Sequence, residues 1–460
     1  MQGIHSRASI DDPNSLAASK TLAGAPTSPA TWPASDWWRA FNDPQLDRLI
    51  DEALAGSPTL RIAEARTREA LAFAAASGAA LYPQLDGSFS LQREFFPERG
   101  LIPPPFNGIW ATPIQLQATL SWELDFWGKN RAAYESAIGE AKAAEVDAYA
   151  ARLALSTGIA QAYVSMQRAY LLRDVASLTL AEREQVYTLT RDRNAAGIDS
   201  RVELKQAEEA LPATREEIIR LDESIALARN QIAALLGQGP DRGLAITRPA
   251  AERMPAVALP TTIPAELLGR RPDLVAQRWR VEAASKDIAV AKAEFYPNVN
   301  LVAFIGLQSI GPAGFFSAAS RTMGVGPAVT LPIFEGGRLR ANLAGKNAAY
   351  DIAVEQYNQA LTGALRDVVD QLASFRSLAA QRTEQKLALS TAQEAYDLAL
   401  LRYREGLGNY LQVLSAESPL LQQQSLEADL RARELALAIE LTRALGGGFV
   451  VAANDAPPIN

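Results

Sequence analysis

Two kinds of hydrophobic spacing run along this chain, and each occurs twice. The first is helical and sustained. From about Lys129 to Asn194, and again from about Arg338 to Glu405, the sequence is rich in alanine and helix formers. In the second run Val354, Tyr357, Leu361, Leu365, Val368, Leu372 and Phe375 recur at steps of three and four, the seam of a coiled coil. A helix of about 66 residues spans about 100 Å at ~1.5 Å per residue, so it needs lateral partners along its length. Each long run ends at a glycine, Gly197 or Gly406, and a helix of roughly 37 residues returns to end near Gly237 or Gly446.

The second spacing has a period of two. Ile114, Leu116, Ala118, Leu120, Trp122 and Leu124 alternate with Gln115, Gln117, Thr119, Ser121 and Glu123. Leu85, Phe89 and Leu91 alternate with Asp86, Ser88, Ser90 and Gln92, while Val299 to Leu307 and Met323 to Leu331 alternate less cleanly because Gly and Ala fill one face. Runs of about 9–11 residues suit tilted strands crossing a bilayer, and they also suit a half-buried soluble sheet. Phe95, Phe96, Phe106 and Trp110, with Phe315 and Phe316, cluster at the strand ends; with Trp122 they are candidates for an interfacial aromatic girdle. Four strands cannot close a barrel, and lipid does not tolerate an open sheet edge. Membrane strands of this kind therefore demand several copies sharing one barrel.

The two halves are a duplication. Tyr82-Pro83 registers with Tyr296-Pro297 at an offset of 214, carrying Leu60 onto Leu274 and Arg66 onto Arg280. Gly197 onto Gly406, Ala207-Glu208 onto Ala416-Glu417 and Leu236-Gly237 onto Leu445-Gly446 give 209, so the first copy holds extra residues, placed at Pro103-Pro104-Pro105. The expected organisation is an extended leader over 1–36 and a first repeat over 37–240, with a strand hairpin at 84–124 and a long helix pair at 129–236. A linker over 241–263 leads to a second repeat over 264–447, with a hairpin at 298–331 and a helix pair at 338–445; a tail fills 448–460. In each repeat a helix of about 23 residues stops at Tyr-Pro. Stacked on the returning helix, it nearly equals the long helix in length.

Composition narrows the chemistry. The 460 residues carry a net charge of −7, no cysteine and one histidine, His5, in a polar tail. There is no basic stripe for nucleic acid. Thiolate chemistry, disulfides and cysteine metal sites are excluded, and one histidine does not build a triad or a zinc site. No cofactor is expected. Pairs such as Glu208-Glu209 point to different helix faces and make poor acid–base partners. No apolar run of ~18 residues or signal-peptide core is visible.

Several segments together resemble the TolC/OprM outer membrane factors, most closely the NodT-type lipoprotein branch. They are Trp37-Trp38-Arg39-Ala40-Phe41-Asn42-Asp43-Pro44-Gln45-Leu46, Trp122-Glu123-Leu124-Asp125-Phe126-Trp127-Gly128-Lys129, Arg270-Arg271-Pro272-Asp273-Leu274, Pro332-Ile333-Phe334-Glu335-Gly336-Gly337-Arg338 and Tyr403-Arg404-Glu405-Gly406-Leu407-Gly408-Asn409-Tyr410-Leu411, with the two Tyr-Pro pairs. The resemblance implies a mainly α protein with membrane β: a homotrimer sharing one 12-stranded barrel above a long α-helical barrel. It implies an outer-membrane location reaching into the periplasm, contact with outer-membrane lipid, and two partners, a periplasmic adaptor and an inner-membrane pump. The implied function is a passive exit duct of a tripartite efflux pump for small toxic compounds or antibiotics. The branch also implies a lipid anchor on an N-terminal cysteine. This sequence lacks one, and the expectation is that the mature start was removed or replaced by Met1.

By the same resemblance the glycine turns are periplasmic tips that form the gate and meet the adaptor. The residues there are Gly197, Asp199, Ser200 and Arg201 in the first copy, and Tyr403, Arg404, Glu405, Gly406, Asn409, Tyr410 and Gln412 in the second. Both glycines also fit an ordinary helix cap, and Arg402, Arg404 and Glu405 a solvated helix face. Gln412 and Ser415 stand where TolC carries a ring of aspartates, so a carboxylate ring is not expected there. Interior Pro212 and Pro419 are expected to bend the returning helices. The alternatives are a soluble coiled-coil scaffold with a small strand cap, an enzyme and a passive porin.

Overall fold

The structure, a computed structural model, describes residues 4–12, 32–250 and 269–451. Residues 1–3, 13–31, 251–268 and 452–460 lie outside them, which takes in the expected anchor position, most of the leader and linker, and most of the tail. After a 3-10 turn at Trp37–Phe41 come α1 (Pro44–Gly56) and α2 (Pro58–Ala79). The strands β1 (Gln84–Leu91), β2 (Glu94–Phe95), β3 (Trp110–Ala111) and β4 (Pro113–Glu123) follow, then α3 (Lys129–Ala195) and α4 (Arg201–Leu235). The second half holds α5 (Pro272–Ala293), β5 (Asn298–Ile310), β6 (Arg321–Thr330), α6 (Arg338–Arg404) and α7 (Tyr410–Ala444). Helices α3 and α6 have 67 residues each, α4 and α7 35 each, and α2 and α5 22 each. Helix α1 belongs to the first copy alone among the described residues and was not distinguished in the sequence.

The short and returning helices stack end to end. A Cβ on Gly237, just past α4, would lie 2.3 Å from Cδ of Pro58, the first residue of α2. At the matching place past α7, a Cβ on Gly446 would lie 1.9 Å from the Arg270 carbonyl oxygen, beside the start of α5. Both glycines have positive φ, 74° and 88°. Each joint thus needs a residue that turns left-handed and has no side chain. Arg271 fastens the second joint: it donates to the Ala444 carbonyl at 3.3 Å and pairs with Asp273 and Asp367.

The two repeats are not separate columns. Helix α5 of the second copy packs between α3 and α6, and α7 does the same further along, with α2 and α4 on the other side of α3. The chain is one curved wall in which long helices alternate with stacked pairs. The coiled-coil seam of α6 faces inward: Val354, Tyr357 and Leu361 pack with Leu274 and Val281 of α5, and Leu365, Val368 and Leu372 with Leu441, Ala444 and Leu445 at the end of α7. The main core gathers Leu155, Ile159, Tyr163 and Met166 of α3 against α1, α4 and α7. An extended strap over residues 4–12 lies along α6. The Arg7 and Ala8 amides donate to Asp351 at 2.9 and 3.1 Å, and the Asn358 side chain pairs with Asp11 and Ser9.

The four main strands form one antiparallel sheet, ordered β1-β4-β5-β6, with β4 and β5 joining the two copies. Register settles the faces. Leu85, Leu120, Ala303 and Val325 stand in one row, and Asp86, Thr119, Phe304 and Gly324 in the next. One face carries Leu85, Phe89, Leu116, Leu120, Leu301, Ile305, Met323, Val325 and Val329. The other carries Ser88, Ser90, Gln115, Gln117, Thr119, Ser121, Gln308 and Thr322 with Gly306, Gly324 and Gly326. The second-copy strands alternate less cleanly, because Val302, Phe304 and Ile310 fall on the second face and Ser309 and Arg321 on the first. Edges β1 and β6 have no partner strand among the described residues. The Leu124 amide bonds to Val299, which sets the alternation so that Pro327 turns its missing donor to the free edge of β6.

Gly446→Ala should lower stability by at least ~2 kcal/mol, because the new Cβ collides with backbone at a left-handed φ. Gly345→Ala, inside α6 with nothing within 4 Å, should be neutral or stabilising by up to ~1 kcal/mol. Thermal melts followed by circular dichroism compare the two.

Candidate functional site

The two glycine turns lie at the end of the wall away from the sheet. Gly197 and Gly406 take φ of 74° and 73°. Ile198 donates back to the Arg193 carbonyl at 2.9 Å and Leu407 to that of Arg402 at 2.8 Å, so both turns close their helices in the same way. The next helices start differently. Ser200 accepts from the Val202 amide and forms a capping box with Glu203, whereas Asn409 accepts from the Gln412 amide at 3.1 Å.

One cluster fastens the first turn to the second long helix. Tyr403, at the end of α6, is fully buried. Its hydroxyl donates to Asp199 at 2.5 Å and lies 2.8 Å from the Thr190 hydroxyl. Arg193 of α3 donates to both Asp199 oxygens, at 2.9 and 3.3 Å, and to the Tyr403 carbonyl at 3.1 Å. Its guanidinium also lies over the Tyr403 ring, 4.6 Å from the centroid. The side chains of Arg193 and Asp199 keep 12% and 7% of their exposure, so this ion pair is largely shielded from water. Burial, and then the bond to Asp199, push the Tyr403 hydroxyl up to about 12. Tyr410 is buried beneath the knot and its hydroxyl is raised as well, by burial first and by Glu417 next.

Of the turn residues singled out in the sequence, Asp199 and Tyr403 meet in this knot. Gly197, Gly406, Ser200 and Asn409 shape the turns. Arg201, Arg404, Glu405 and Gln412 are exposed around them. Arg193 and Thr190 were missed, for their spacing gives no signal: each reads as an ordinary position on a long helix.

The aromatic residues fall into two sets. At the hairpin ends Phe95 stacks edge-on to Trp110 at 5.8 Å, and both are exposed, as is Phe316. Phe96 and Phe315 are not: each is 6% exposed and folded into its own loop, so neither belongs to an outward ring. Trp122 lies at the opposite end of β4, where its indole donates to the Leu81 carbonyl at 3.1 Å. A further belt stands at that end, where strands become helices. Trp127 stacks on Tyr296 at 4.6 Å, and Tyr82, Phe126, Ile333 and Phe334 are exposed beside them. Asp125 opens α3 there by accepting from the Asn130 and Arg131 amides, and Glu123 pairs with Lys129 at 2.6 Å. Aromatic side chains with basic neighbours suit a membrane–water boundary.

A sheet apolar on one face, open at both edges and continued by a tube wall, defines a channel subunit built for assembly in a membrane. The comparisons agree. The family described as outer membrane efflux protein matches residues 49–238 and 263–447. Multidrug resistance outer membrane protein MdtP of Escherichia coli K12 is 33% identical over 426 residues, covering 91% of this chain and 87% of that protein. Fusaric acid resistance protein FusA of Burkholderia cepacia is 44% identical over 326 residues, which span 69% of this chain and 61% of that protein. Among solved structures, outer membrane protein VceC of Vibrio cholerae superposes with a TM-score of 0.85 at 38% identity, over 91% of this chain and 100% of VceC. The outer-membrane channel OprN gives 0.86 at 27% identity, over 98% of each.

This chain belongs to the outer membrane efflux protein family. Its sheet is one third of a 12-stranded barrel in the outer membrane, completed by two further copies, and its helices are one third of the tube below. No described helix is long and apolar enough to cross a membrane. The soluble-scaffold alternative is overturned by this membership.

Val325→Arg, on the apolar face of β6, should destabilise the barrel by ~2–4 kcal/mol near the bilayer midplane, whereas Thr119→Arg on the other face is tolerated. The readout is the temperature at which purified trimer dissociates on a gel. A raised hydroxyl pKa stabilises the fold fully below pH 10 and loses its effect as pH climbs through about 12. A spin label at Ile198→Cys, in a chain without other cysteines, should therefore keep constant mobility from pH 7 to 10 and loosen towards pH 12. With Tyr403→Phe that step should vanish.

Proposed function

We propose that the glycine turns are the periplasmic gate of the duct, held shut by the Tyr403–Asp199–Arg193 knot, and that the exposed tip residues dock a periplasmic adaptor. The observation that carries this reading is the buried hydroxyl of Tyr403 bonded to Asp199 across the two repeats. A shielded, charge-assisted contact between the two halves resists separation of their tips, and separating them widens the tube mouth. Gly197, Ser200 and Arg201 on one turn, with Arg404, Glu405, Gly406, Asn409 and Gln412 on the other, give the adaptor two similar surfaces per copy. Exposed Ile198, Leu407 and Leu411 give each surface an apolar centre. In this reading the duct works with an inner-membrane pump that selects the cargo, and the chain supplies passage without chemistry of its own.

Tyr403→Phe removes the buried hydrogen bond to the Asp199 carboxylate and the contact with Thr190, ~1.5–3 kcal/mol, and should raise the open population at least about 10-fold. Asp199→Ala also strands Arg193 and should do more. Single-channel recording of purified trimers in planar bilayers measures both. Conductance unchanged in both variants would sink the gate. Adaptor docking is checked by binding: Ile198→Asp with Leu407→Asp should abolish capture of the cognate adaptor without lowering the trimer's dissociation temperature.

A further inference from the structure

The apolar core of the wall thins above the tips, where Ala176 and Thr179 are the buried positions of α3 between Ala169 and Val186. The tip cluster holds Val186, Ala207, Tyr396, Tyr403, Tyr410, Val413 and Leu420. The main cluster resumes only at Ala169 on α3, Ile225 on α4 and Ala432 on α7. On α3 the gap runs from Ala169 to Val186, about 25 Å of helix. Arg183 occupies it. Its guanidinium forks onto Glu417 of α7, at 2.8 and 3.0 Å. Its remaining nitrogen donates to the Thr214 hydroxyl at 2.8 Å and the Ala210 carbonyl at 3.3 Å, both on α4. The Glu417 side chain keeps 8% of its exposure and that of Arg183 20%.

What Arg183 grips is specific. Ala210 and Thr214 flank Pro212, and Glu417 lies two residues before Pro419. These are the interior prolines of the two returning helices. Each lacks a backbone donor, so the carbonyls of Glu208 and Ser415 lose their helical partner and the helix bends most easily there. Thr214 turns its hydroxyl onto the Ala210 carbonyl at 2.7 Å, so side chains supply polar contacts beside the first break. One side chain thus ties both weak points to the unbroken helix α3.

We infer that Arg183 is a positioning residue of the gate: it fixes the hinge level at Pro212 and Pro419, below which the returning helices α4 and α7 swing away from α3 and α6 when the gate opens. The inference rests on the gate reading above. The knot resists that swing at the turns, and Arg183 resists it at the hinge. The lever from Arg201 to Leu211 is about 16 Å long, and a bend of about 20° moves its end by ~6 Å. The bidentate fork matters as well as the charge, since Lys offers no planar pair of donors to Glu417.

The test uses whole trimers, without other cysteines, labelled at Ile198→Cys in the tip or Leu227→Cys above the hinge. Arg183→Ala, and the apolar pair Arg183→Met with Glu417→Leu should the first fold poorly, are compared with Asp199→Ala. The expected result is at least a fivefold rise in mean conductance for both hinge variants, with Arg183→Lys between them and the unaltered chain. The distance between tip labels should lengthen by about 5–10 Å, the spread from a ~20° bend, while the Leu227 distances stay fixed. Equal changes at both labels would mean that Arg183 merely stabilises the wall, and the inference is overturned. Conductance raised by Asp199→Ala but not by the hinge variants also overturns it and leaves the gate standing. No response to any variant removes both.

Discussion

A sheet edge cannot be left open in lipid. Every other feature of this chain follows from how that condition is met. The chain supplies four strands, closes the inner seam itself by pairing β4 with β5, and leaves β1 and β6 for neighbouring copies. Pro327 fits the arrangement, because its missing donor faces the join between copies and costs nothing within the chain. The helical wall inherits the same logic. Long helices alternate with stacked pairs, and three such walls close on themselves.

The duplication supplies near-equivalent parts, and the proposed gate sits where the equivalence fails. Joints at Gly237 and Gly446 are built alike, and so are the turns at Gly197 and Gly406. The contacts around the turns are not alike. Asp199 of the first turn reaches Tyr403 of the second copy, and Arg193 gives that contact its charge. Glu208 and Glu417 match in the alignment of the copies, yet the first pairs with Lys205 on the surface and the second is buried against Arg183. Strand faces differ too, with Gly324 and Gly326 in the second copy where the first has Gln115 and Gln117.

Much of the fold was legible because it obeys long periods. The seam from Val354 to Phe375, the turn glycines and the alternation in β4 each repeat a physical requirement often enough to be counted. Partner choice was not legible. Nothing in the spacing of α5 says that it lies between α3 and α6, since an apolar stripe records that a face is covered and not by what. The knot was half legible. Asp199 and Tyr403 sit beside conspicuous glycines, whereas Arg193 and Arg183 are single arginines on helices full of charge. The aromatic assignment went astray at Phe96 and Phe315 because short loops pack on themselves without any period. The belt at Trp127 and Tyr296 was hidden inside a segment read only as a family signature.

The stacked joints carry one more implication. Because α2 and α4 meet at Gly237, and α5 and α7 near Gly446, their combined lengths are tied to those of the unbroken helices beside them. Adding a heptad to reach about 10 Å further would require matching insertions in four separate stretches of the gene. The span of the duct is therefore inherited as a ruler that single insertions cannot reset.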